Sequence, residues 1–76
     1  MILTTEQARY VAQEMKAAKK ISIDMLMARS TAERVKVVHE PVFTDRVMVW
    51  QQIGGITHND EMYGSRAEFL AAYGVQ

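Results

Sequence analysis

Seventy-six residues suffice for one small core and leave no room for a second, so a single domain over 1–76 is expected. Nine Lys and Arg balance nine Asp and Glu, and about half of the residues are apolar, a composition that argues for a folded soluble chain and against disorder. The absence of cysteine excludes disulfides, zinc–thiolate sites, iron–sulfur clusters and thiol catalysis. No apolar run approaches the roughly 18–20 residues of a membrane helix, and no leader pattern opens the sequence, so a cytoplasmic location is expected.

From the N-terminus, Thr4 and Gln7 have the spacing of a capping box, and Ala8, Val11, Ala12, Met15 and Ala18 fall on one helical face. Glu6 near the start, with Lys16, Lys19 and Lys20 near the end, complements the helix dipole. The pattern predicts a helix over 4–20. Beyond Lys20 the period changes to two: Ile21, Ile23, Met25 and Met27 alternate with Ser22, Asp24, Leu26 and Ala28, which predicts a strand over 21–27. A helix 23–29 capped by Ser22 is the competing reading, with a further box at Ser30 and Glu33.

Valines and aromatic residues then gather on either side of Thr44-Asp45, predicting a hairpin with strands near 34–43 and 46–53. Pro41 lacks an N–H, which implies an edge or a bulge in the first of these strands. Gly54-Gly55 predicts a turn into a short strand near 56–58, and His58-Asn59-Asp60-Glu61 reads as a polar loop. Ser65 and Glu68 form a second capping box, opening a helix that runs to Tyr73 and ends at Gly74. The expected fold is α+β: an N-terminal helix, an antiparallel sheet of about three strands with its hairpin near 34–53, and a short C-terminal helix. Both helices are expected on one face of the sheet.

Function follows from the face left over. The hairpin strands carry apolar residues on both sides, because Val47 and Val49 alternate with Met48 and Trp50, and Val35 and Val37 with Val38 and Val42. Two helices cover one side, so the other implies an interface built on Val38, Val42, Met48 and Trp50, unless β-strand 46–53 is buried on both faces. A chain this short also has a marginal core, and with neither disulfide nor metal to support it, self-association is the expected remedy.

His58, Asp60 and Glu61 have residue types suited to general-base or metal chemistry, but His39 is the only other histidine and no established ligand spacing is present. His39 beside Glu40 and Pro41 reads as a structural histidine. Gly54-Gly55 lacks the remaining features of a phosphate loop, and Ser22, Ser30 and Ser65 are explained by turns and caps. Tyr10, Tyr63 and Tyr73 are spaced singly, as packing residues, and the methionines read as core filling. No catalytic residue, metal, cofactor or small-molecule substrate is inferred.

Charge is unevenly spread. Between residues 16 and 36 lie Lys16, Lys19, Lys20, Arg29, Arg34 and Lys36 against Asp24 and Glu33, a net +4, and the remainder carries −4. That basic segment supports an alternative reading as a nucleic-acid-binding regulator, although aromatic residues for base stacking are not interleaved and the whole chain is neutral. In size and composition the chain is similar to small accessory proteins of bacteria and phages, a likeness resting on no motif. The primary expectation is a non-catalytic protein–protein interaction module, a homodimer that binds or inhibits a protein partner, with no membrane contact.

Overall fold

The computed structural model describes residues 1–27, 30–42 and 44–75, so Arg29 and Phe43 lie outside the described residues. Thr4 caps the first helix, α1 (Thr5–Ala17), through the expected reciprocal box: its Oγ1 accepts from Gln7 N–H, and Gln7 Oε1 accepts from Thr4 N–H. The helix stops three residues short of the expected 20, because Ala18 turns extended and hands the chain to the sheet.

Four strands follow, β1 (Ile21–Met27), β2 (Ser30–Glu40), β3 (Thr44–Ile53) and β4 (Ile56–Tyr63), and the chain closes with α2 (Arg66–Tyr73). All three pairings are antiparallel between consecutive strands, giving the spatial order β1-β2-β3-β4. The period-two reading of 21–27 holds, and the helical alternative there does not.

Three expectations need correction. The sheet has four strands where about three were expected. Its fourth strand runs to Tyr63, so His58-Asn59-Asp60-Glu61 is strand, not loop. Pairing with β3 overrides the poor strand preference of Asn and Asp. The β2–β3 turn also sits earlier than Thr44-Asp45. Pro41, unable to donate to a ladder, ends β2 at Glu40, so Pro41 and Val42 form the turn and Thr44 and Asp45 already belong to β3.

Gly54 and Gly55 join β3 to β4 with φ of 59° and 81°, the left-handed pair that a two-residue hairpin turn demands. At α2, Ser65 Oγ accepts from Glu68 N–H as expected. The Glu68 carboxylate reaches past the cap to accept from Gly64 N–H at 2.8 Å. Gly74, at φ 66°, terminates the helix.

Burial separates the two sides of the sheet. Ile21, Val35, Val37, His39, Val47 and Val49 are buried, occupy one face by register, and share one core with Val11, Met15, Phe69 and Tyr73 from the helices. Along β2 and β3 the intervening residues are half-buried or exposed, and none described on the second face is buried. We call that second side the outer face.

Candidate functional site

Cross-strand register assembles the outer face row by row. Ser22 pairs with Val38, Val38 with Met48 and Met48 with Met62, so three apolar side chains stand abreast on β2, β3 and β4. In the next row Asp24 pairs with Lys36, Lys36 with Trp50 and Trp50 with Asp60. Side-chain contacts agree with this assignment: Arg34 Nε donates to Asp24 Oδ1 at 2.8 Å, and Gln52 Nε2 donates to Thr57 Oγ1 at 3.2 Å.

Three of the residues singled out from sequence, Val38, Met48 and Trp50, therefore adjoin one another. Each is half-buried by its neighbours in the sheet, and Met62 extends the patch at 61% exposure. Val42, at 72% exposure, belongs to the β2–β3 turn and not to a strand row, because Pro41 ended β2 before it. Sequence reasoning missed Met62. Reading 56–63 as a full strand would have found it, since alternation from Asp60 puts Met62 on the outer face.

The trio considered for chemistry is dispersed by the same alternation. Asp60 pairs with Trp50 on the outer face, Glu61 pairs with Val49 on the core face, and exposed His58 falls at the register shift between Gln51 and Gln52. Among the described residues no group of three or more His, Asp or Glu is arranged to hold a metal ion.

Glu61 has a structural task that the sequence reading missed. Its Oε1 accepts from the hydroxyls of Tyr63 and Tyr73, and its Oε2 accepts from Ile2 N–H at 3.2 Å. Tyr73 Oη in turn accepts from Leu3 N–H at 3.2 Å. One carboxylate thus ties the N-terminal segment, β4 and α2 together. Tyr63 and Tyr73, spaced singly in sequence, pack with Phe69 at ring-centroid distances of 5.1–6.1 Å. Burial, then the hydrogen bond to Glu61, pushes the Tyr73 phenol far above its ordinary range, and the same causes raise Tyr63. Above this cluster opens a pocket of about 620 Å³ lined by Ile2, Leu3, Gln7, Glu33, Gln51 and Glu61, among others.

His39, which reads from sequence as a satisfied or half-exposed structural histidine, is buried on the core face, and its Nδ1 has no hydrogen-bond partner among the described residues. It is only 3% exposed, with Nε2 2.7 Å from Asp45 Oδ1. The hydrogen bond with His39 lowers the Asp45 carboxyl below its ordinary value, so the ionised carboxylate accepts and Nε2 carries the proton.

The basic segment does not form a uniform stripe. Lys16 lies in the last turn of α1, and Lys19 follows the helix, exposed. Arg34 and Lys36 stand on the outer face, where Arg34 is paired with Asp24, while Lys20 meets Glu40 at 3.5 Å. Carboxylates therefore accompany two of the five described cations proposed for nucleic-acid contact, the sixth, Arg29, lying outside the described residues.

Comparison with protein families, curated proteins and solved structures finds no match to this chain. No helix among the described residues is long and apolar enough to cross a membrane.

Proposed function

We propose that the protein is a non-catalytic protein–protein interaction module whose helices cover the core face of the sheet and whose outer face docks on a second copy of the same chain. The observation that carries this reading is the apolar row Val38, Met48 and Met62, with Trp50 beside it, on a face without a buried residue among those described. Aromatic residues and methionine are the side chains enriched at interface centres. Charges flank the patch at Lys36 and Asp60, which resembles the polar rim of an association surface.

A second copy is the occupant favoured by charge. The chain as a whole is neutral, so no net repulsion opposes self-association, and the outer face bears cations on β2 and an anion on β4. Burying the patch also removes apolar surface from water, at about 25 cal/mol for each Å².

Trp50 is the sole tryptophan and lies inside the proposed contact, so its emission reports association directly. Serial dilution from about 100 µM to 1 µM, a range spanning weak to moderate affinities, should shift that emission to the red and increase quenching by acrylamide. Emission and quenching that stay constant over this range, together with a monomeric mass at the highest concentration, would rule the reading out.

A further inference from the structure

The pattern of charge on the outer face selects one geometry for this pairing, an inference that rests on the self-association proposed above. We infer that two copies meet face to face about a two-fold axis parallel to β3, so that β2 of each protomer lies over β4 of its partner.

The argument is one of symmetry. A closed dimer uses the same patch on both copies, and two packed sheets stand about 10 Å apart with their strands nearly aligned. An axis along β3 exchanges the two sides of that strand and preserves the rows. Lys36 of one protomer then faces Asp60 of the other, twice per dimer, because both occupy the row of Trp50. Val38 faces Met62 by the same operation in the adjoining row, and Met48 and Trp50 meet their own copies on the axis. Every apolar residue of the patch gains an apolar partner.

The other in-plane axis, perpendicular to the strands, lays each strand over itself. With that axis through the Trp50 row, Lys36 would oppose Lys36 and Asp60 would oppose Asp60, and the reversed rows would set Arg34 against Val38. Like charges so juxtaposed work against association.

Polarity on β1 supports the first axis independently. With β3 on the axis, β1 has no strand of the partner above it and stays in water. In the rows of Met48 and Trp50 the outer-face residues of β1 are Ser22 and Asp24, both exposed, with Asp24 held by Arg34, and Leu26 falls one row further on, opposite Arg34. The apolar row ends where the overlap ends. Arg46, two residues before Met48 on β3, also meets its own copy on this axis, a single like-charge contact set against two opposite-charge pairs.

A charge-exchange experiment tests the orientation. In the variant Lys36→Glu both cross-protomer pairs become acid against acid, and in Asp60→Lys both become base against base. Each variant alone should associate at least about tenfold more weakly than the parent at low ionic strength, given two rim pairs reversed in sign. Mixed in equal amounts, the two should recover parental affinity as a heterodimer, because each new charge meets its opposite in both contacts. An isotope-labelled copy of one variant and native mass spectrometry distinguish the heterodimer from either homodimer. Variants that associate as tightly as the parent, or a mixture no tighter than its components, overturn the orientation while leaving the outer-face reading intact if Met48→Lys still dissociates the parent. A parent that is monomeric throughout overturns both.

Discussion

Replacing Glu61 by alanine should cost the fold far more than its half-exposed position suggests. The substitution removes the acceptor for the Tyr73 hydroxyl, the Tyr63 hydroxyl and Ile2 N–H. All three bonds are part-buried, so each contributes about 1 kcal/mol, the value of a typical hydrogen bond. The expected loss is about 3 kcal/mol. A chain of this size is stable by only roughly 4–11 kcal/mol, so the melting temperature should fall by about 15 °C. Urea unfolding followed by circular dichroism measures the free-energy change. Glu61→Gln retains one acceptor oxygen and should lose about 1 kcal/mol. A Glu61→Ala variant within about 0.5 kcal/mol of the parent, the range of an ordinary surface change, would refute the claim that this carboxylate ties three elements together.

The buried phenols set an alkaline limit. With the folded pKa of Tyr73 raised far above the unfolded value near 10, the native state keeps a proton that the unfolded chain releases, so stability falls as pH rises above about 10, by about 1.4 kcal/mol per pH unit for that group. Tyr73→Phe should be less stable at pH 7 and should show a shallower alkaline decline in the same unfolding titration; an equally steep decline would assign it elsewhere. At the β3–β4 turn a Cβ at Gly54 meets no neighbouring atom, so Gly54→Ala pays only the left-handed backbone cost of about 1–2 kcal/mol. A measured change below about 0.3 kcal/mol would mean that the turn readily adopts another conformation.

Much of this architecture was legible because local signals agreed with the global fold. Thr4 with Gln7 bracketed the first helix, Gly54-Gly55 marked the tight hairpin, and Ser65 and Gly74 bounded the last helix. Strict alternation from Ile21 to Met27 outweighed the helical preference of Met, Leu and Ala, since β2 supplies the ladder partner. Only the start of the fourth strand, near 56–58, was legible, because His58 to Glu61 carries little strand preference and its conformation comes from pairing with β3. Everything depending on the rest of the strand was hidden with it: Met62 as part of the apolar row, and Glu61 sharing a face with Tyr63. The contact from Glu61 to Tyr73 joins residues 12 apart across two elements, and the one to Ile2 spans 59, separations no periodicity encodes. The division of the hairpin into two apolar faces was readable, because Val47 and Val49 could not share a side with Met48 and Trp50.

The central claim is that the outer face of the sheet closes on a second copy of the chain. Sedimentation equilibrium over roughly 1–200 µM, a range bracketing micromolar affinities, tests it most directly. The account predicts an apparent mass rising from 8.6 kDa toward twice that value, and a Met48→Lys variant that remains folded at 8.6 kDa throughout. A parent chain that stays at 8.6 kDa across the range, or a Met48→Lys variant that associates as the parent does, would contradict it.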